Sequence, residues 1–148
     1  MSIFSSFNIN ASGMTAQRYR MDIISENVAN ADTTRTADGT PYRRKVVTFE
    51  QRGAEVGSFS NVFKSASETY NGNGVRVRKV SEDTWNDMVM AYDPSHPDAD
   101  ENGYVTYPNV NIVTEMTNLI DASRSYEANA TAFNASKAIA VKGLEMAQ

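Results

Sequence analysis

The sequence predicts a mainly α protein with a small β-rich middle, in which an antiparallel, coiled-coil-like pair of long N- and C-terminal helices is joined by an extended loop and hairpin excursion. Three observations carry this prediction. Apolar residues recur every seven positions at Phe7, Met14, Met21 and Val28, and again at Ile112, Leu119, Tyr126 and Phe133, the spacing of one face of a helix. All four prolines and six of the eight glycines lie between Asp32 and Pro108, so the residues that interrupt regular structure are confined to the middle. Charge divides in the same way: residues 1–31 carry four charged side chains and 109–148 carry seven, against 21 in residues 32–108. The chain therefore reads as an N-terminal helical arm (1–33), a middle loop and short-strand region (34–108) and a long C-terminal helix (109–148).

In the first arm, Ile24 lies three residues after Met21 and widens the apolar stripe. Gly13 costs that helix about 1 kcal/mol relative to alanine. Asn30, ahead of Ala31-Asp32-Thr33, is expected to stop the helix in a left-handed conformation. In the middle, residues 42–49 and 74–80 are β-branched runs with a turn signal, Asn71-Gly72-Asn73-Gly74, before the second, which predicts a short hairpin or small sheet. Residues 51–70 show no period and read as a mobile loop. Trp85 and Tyr92 flank Met88-Val89-Met90 and are expected to form a small hydrophobic cluster under the loops. After Pro108, Asn109 or Asn111 can cap the second helix. Its seam continues to Ala140 and Ala147, with Met116, Ala130 and Leu144 four residues after seam positions. Some 36 residues make a rod about 54 Å long, more than a compact domain of this mass needs. Ser123, Lys137 and the asparagines at 118, 129 and 134 leave the seam weaker than a leucine zipper, so it reads as an assembly surface made by Phe7, Met14, Met21, Ile24, Val28, Ile112, Met116, Leu119, Tyr126, Phe133 and Leu144.

Composition narrows the chemistry. The 148 residues, 41% hydrophobic and 22% charged with a net charge of −4, suit one domain and exclude a collagen-like chain, a fully disordered one and a strongly basic nucleic-acid binder. With no cysteine and a single histidine, His96, thiolate metal sites, disulfides and histidine-dependent triads have no material. No membrane span and no cleaved secretory signal are legible, and the expectation is a non-enzyme without a cofactor. Asp98-Ala99-Asp100-Glu101-Asn102-Gly103-Tyr104-Val105 matches the first half of a calcium loop, but the twelfth position, where a bidentate carboxylate belongs, is Asn109. An acidic solvated turn is the expectation there, and a loop position that for His96. Arg43-Arg44-Lys45 and Arg76-Arg78-Lys79 read as a solvated sheet face or a charge-matched contact with a neighbouring subunit. Three glycosylation-like triplets beginning at Asn10, Asn129 and Asn134 fall on predicted helices and are discounted.

Ser12-Gly13-Met14-Thr15-Ala16-Gln17, followed by Ser25-Glu26-Asn27-Val28-Ala29-Asn30-Ala31-Asp32-Thr33, resembles the N-terminal signature of the bacterial flagellar rod and hook proteins. Asp38-Gly39-Thr40-Pro41-Tyr42-Arg43, the run His96 to Asn111, Glu115-Met116 and Ala122-Ser123-Arg124-Ser125-Tyr126-Glu127-Ala128-Asn129 resemble its proximal-rod branch. The resemblance implies a structural subunit of the flagellar basal-body rod, located in the cell envelope and exported unfolded by the flagellar type III apparatus without a cleaved signal. It implies assembly with its own copies, with other rod subunits and with the basal-body base or export gate, in a helical tube whose inner wall is made by the terminal helices. Nucleic acid is not among the expected partners. Two other functions compete with it, a calcium-responsive binding module using Asp98, Asp100 and Asn102 and a soluble coiled-coil adaptor.

Overall fold

The computed structural model describes residues 3–52 and 73–146. Along these the order is α1 (Ile3–Ala29), β1 (Lys45–Gln51), β2 (Val75–Glu82), β3 (Val89–Tyr92), β4 (Tyr104–Tyr107) and α2 (Ile112–Glu145). The protein is mainly α with a small β middle. The aperiodic stretch 51–70 begins with the last residue of β1, and most of it, with the Asn71-Gly72 half of the turn signal and Ala147, lies outside the described residues.

The helix ends follow local side-chain chemistry. Asn111 caps α2, its Oδ1 accepting the Thr114 N–H at 3.1 Å. At the end of α1 the expectation of a left-handed asparagine is corrected: among the described residues only glycines have positive φ. Asn30 instead donates its side-chain amide to the Glu26 carbonyl at 2.9 Å and accepts from the Thr33 hydroxyl at 3.1 Å, which satisfies helix-end groups without a left-handed residue.

Strands β1 and β2 pair in one sheet and β3 and β4 in another. The Arg52 N–H donates to the Gly74 carbonyl and the Asp83 N–H to the Arg44 carbonyl, joining the end of β1 to the start of β2 and the reverse, an antiparallel ladder. The β3–β4 hairpin, which the residue pattern did not announce, is antiparallel with Val89 opposite Tyr107 and Tyr92 opposite Tyr104. The calcium-like motif is the far side of its connection. Gly103 there has φ +81°, and a Cβ on it would lie 3.0 Å from Tyr92 Cε2 and 3.1 Å from Pro94 Cγ, so both conformation and space require glycine.

The chain divides into two compact units. One comprises Met1–Tyr19, Thr48–Arg78 and Ser123–Gln148; the other comprises Arg20–Val47 and Lys79–Ala122. Among the described residues the buried apolar side chains are three alanines, Ala16, Ala31 and Ala122, with Ile24, Tyr42 and Val105. Four polar residues, Ser12, Asn27, Asp83 and Glu115, are equally enclosed.

Candidate assembly interface

The first unit brings together one residue from each heptad stripe. The rings of Phe7 and Phe133 lie 5.0 Å apart at 59°, a tilted aromatic pair. Nearby, Gly13 lets the helices approach so closely that a Cβ there would lie 2.6 Å from Asn129 Oδ1. Asn129 is held in place by donating to the Ser125 carbonyl at 2.7 Å. Ser12 Oγ accepts the Val75 N–H at 3.0 Å, fastening β2 to α1 in this unit.

The second unit is built around a polar network. Asn27, 1% exposed, uses its whole amide: Oδ1 accepts from the Tyr42 hydroxyl at 2.8 Å and the Lys45 N–H at 2.9 Å, and Nδ2 donates to the Lys45 carbonyl at 2.9 Å and to Glu115 Oε2 at 3.0 Å. Glu115, equally buried, receives Arg44 Nε at 2.9 Å and Nη2 at 2.7 Å on Oε1. Arg44 reaches on to Asp83 Oδ2 at 3.3 Å. Asn109 then ties the strands to the start of α2, accepting the Arg44 N–H at 2.9 Å and donating to the carbonyls of Asp83 and Asn86 at 3.0 Å. Lys45 pairs with Glu26.

These contacts set the ionisation of the network. Burial opposes the charge on Arg44, but the hydrogen bonds and charge of Glu115, and then Asp83, outweigh it and raise its pKa. The Asn86 side-chain amide, helped by the backbone amides of Asn86 and Trp85, holds Asp83 below the usual carboxylate value. Burial, reinforced by Glu26, Glu115 and Glu82, pushes the Tyr42 hydroxyl up to about 12.

The residues expected on the assembly face are distributed unevenly. Ile24 is buried; Phe7, Met14, Met21, Val28, Leu119, Tyr126 and Phe133 are half-buried; Ile112, Met116 and Leu144 are exposed. The fully buried positions of α2 are Glu115 and Ala122, three residues after Ile112 and Leu119, and those of α1 include Ser12, Ala16, Ile24 and Asn27. Apart from Ile24, these deepest helix positions are small or polar, and the other large apolar residues of the predicted face flank them. The heptad reading passed over Asn27, Tyr42, Arg44, Asp83, Asn109 and Glu115. One signal was available: Glu115 sits on the apolar face between Ile112 and Leu119, where a carboxylate needs a buried partner.

The expected hydrophobic cluster around Trp85 is corrected. Trp85, Val89, Met90 and Tyr92 form no covered cluster: they are 94%, 57%, 65% and 66% exposed, since the two-stranded β3–β4 sheet buries little more than Val105 and half-covers Ala91. Arg76 and Arg78 are exposed on β2, as a solvated sheet face requires, and all four strand arginines also have partners within the chain. Arg43 donates to the Asp83 carbonyl at 3.1 Å, Arg44 holds Glu115, and Arg76 and Arg78 lie 2.5 and 3.6 Å from Glu50. The acids of the calcium-like motif also have other partners. Asp98 accepts from Thr34 at 2.8 Å and pairs with Arg35 at 3.4 Å, while Asp100 Oδ1 accepts the backbone N–H groups of Asn102 and Tyr104. His96 is half-buried in the β3–β4 connection, its Nδ1 accepting the Asp98 N–H at 3.1 Å. No helix among the described residues is long and apolar enough to cross a membrane.

Both ends of the chain match models of one class of protein. Residues 7–35 match the family model "Flagella basal body rod protein", and residues 101–146 match "Flagellar basal body rod FlgEFG protein C-terminal". Over 99% of both chains, the sequence is 47% identical to the flagellar basal-body rod protein FlgC of Bacillus subtilis. It is 43% identical to that of Borreliella burgdorferi, with 100% of this chain and 99% of the relative covered, and 37% identical to that of Escherichia coli over the whole of both. The chain belongs to the FlgC family of flagellar basal-body rod proteins. Its function is that of a structural subunit of the rod, and its place is the flagellar basal body.

Proposed function

We propose that this rod subunit polymerises through its terminal helices into the helical tube of the proximal rod, which transmits torque and surrounds the export channel. Residues 1–33 and 109–148 act as an antiparallel, coiled-coil-like pair forming the wall of the channel, and residues 34–108 face outward. The observation that carries this reading is the apolar surface left on α2 of a single chain: Val113 is 75% exposed and Leu144 72%, with Ile112, Met116, Ile120 and Ile139 also exposed. Patches of this kind on one helix mark a surface that another chain covers, and burying each large side chain contributes about 1.5–3 kcal/mol. The partners are its own copies, other rod subunits and the basal-body base or export gate. The subunit reaches the periplasmic part of the envelope through the flagellar export apparatus, without a cleaved signal peptide. Its role is mechanical, with no catalysed reaction and no cofactor.

Replacement of the chromosomal copy by single variants tests this. Leu119→Asp and Phe133→Asp should abolish motility and incorporation into purified basal bodies, because an unpaired charge buried in a packed face costs several kcal/mol. Met116→Asp and Leu144→Asp place the charge in water in the free chain, so their loss of incorporation would report assembly rather than folding. Asp100→Ala should swim nearly as wild type. The reverse ranking would overturn the reading.

A further inference from the structure

The β3–β4 hairpin has one covered face and one open face. Val105 is fully buried and the opposing Ala91 is half-covered. Because successive side chains of a strand point to opposite faces, Met90, Tyr92 and Tyr104 lie together on the other face, and all three are exposed. The open face is ordered. The Tyr92 and Tyr104 rings meet edge to face with centroids 5.3 Å apart, and Tyr92 lies against the turn, where a Cβ on Gly103 would come 3.0 Å from its Cε2. Rings held in place before binding lower the ordering cost of a contact. Carboxylates border them. Asp100 Oδ1 accepts the Tyr104 N–H at 2.7 Å, and the adjoining Glu101 is exposed, with no ion pair among the described residues.

Ring faces beside an uncompensated carboxylate define the chemistry of an occupant. A guanidinium can stack on an aromatic ring and pair with a carboxylate. The β1–β2 sheet presents two of them. Arg76 and Arg78 are both exposed and share Glu50 as their carboxylate, so one positive charge is left over among the described residues. Two residues apart on one strand, they stand on the same face about 6.6 Å apart, close to the spacing of the two tyrosine rings.

We propose that the Arg76 and Arg78 face of one copy docks on the Met90, Tyr92 and Tyr104 face of a second copy, with the guanidiniums over the rings and the surplus charge against Asp100 and Glu101. This deepens the rod-subunit reading and rests on it. The opposite charges and matched spacings belong to two different surfaces that every chain carries, so the contact is head-to-tail, the type that generates rings or helical filaments rather than closed two-fold dimers.

The natural absence of cysteine makes the contact directly testable by cross-linking. Thr48 lies two residues before Glu50 on the same strand face, Asn102 follows Glu101, and both are exposed, so a Thr48→Cys/Asn102→Cys variant leaves every proposed contact residue in place. Expressed in place of the wild type and treated in purified basal bodies with a thiol-to-thiol cross-linker, it should give covalent multimers of this chain. The yield should be several-fold above that of Arg18→Cys/Asn102→Cys, whose first site is an exposed position on α1. Equal yields, no multimers, or linkage of Thr48→Cys to a different protein would overturn the contact and leave the rod reading standing. Absence of the wild-type chain from basal bodies would overturn both. Charge exchange decides if the cysteine variant is not incorporated. Arg78→Glu and Glu101→Arg should each lower incorporation several-fold, and the two together should restore it, a rescue that a folding defect would not show. Single variants that incorporate like the wild type, or a double variant no better than either single one, would overturn the contact.

Discussion

Asn27 shows how an amide can occupy one of the most enclosed positions in the molecule: all four of its hydrogen-bonding sites are filled at 2.8–3.0 Å, so nothing polar is left unpaired. Glu115 is held by the same logic, and its removal is correspondingly severe. Glu115→Leu removes an acceptor shared by Arg44 and Asn27, leaving them only Asp83 and the Lys45 carbonyl, and should cost about 3–5 kcal/mol, read as a lower midpoint of urea unfolding. The Arg44→Leu/Glu115→Leu pair should lose less than the two single changes summed, because neither charge is then stranded. Tyr42 gives a pH signature. Its hydroxyl ionises at about 12 in the fold against 10.0 when free, so the neutral phenol is the form the fold favours. That stability is complete below about pH 10 and falls as pH rises toward about 12. Tyr42→Phe should flatten this alkaline slope in denaturation curves, and ultraviolet titration of the folded chain should show one tyrosine ionising late.

Among the elements, α1 depends on a missing side chain. Gly13→Ala should gain about 1 kcal/mol of helix propensity but places a methyl 2.6 Å from Asn129 Oδ1, an overpacking that costs about 1–3 kcal/mol. The single variant should therefore lower the melting temperature. Gly13→Ala with Asn129→Ala should recover it, and failure of the second change to compensate would show that the close approach is not what the glycine serves. The β3–β4 hairpin makes a different point. Its signal was obscured because a two-stranded sheet exposed on most sides buries little, so alternation between apolar and polar residues was never imposed on Val89–Tyr92.

For the whole molecule, the division of burial matters most. The apolar side chains near the end of α2, Ile139, Val141, Leu144 and Met146, are all exposed, so among the described residues these turns rest mainly on their own helical hydrogen bonds and the exposed Lys142–Glu145 pair. Long helices gain most of their stability from packing rather than propensity. Hydrogen exchange should therefore be fast over residues 139–146 in the monomer and strongly slowed in assembled rods. Strong protection of these amides in the monomer would contradict this.

The sequence by itself determined the elements at the two ends, the segregation of prolines and glycines into the middle, the asparagine cap of α2 down to a choice between Asn109 and Asn111, and the family. Each rests on local patterns whose physics acts within a few residues: seven-residue spacing, a side chain that reaches its own helix end, or a motif read directly. It also placed Phe7 and Phe133 on the two apolar stripes, and the structure brings their rings together. Only the tertiary structure decided that Asn27 and Glu115 are among the deepest positions while the nearby Val28 and Ile112 are not, that Arg44 is turned inward, and that Trp85 stands in water. These outcomes depend on partners up to 88 residues apart. Whether a charge is buried or an indole exposed is set by the groups that meet it in space, and spacing along the chain does not encode that meeting.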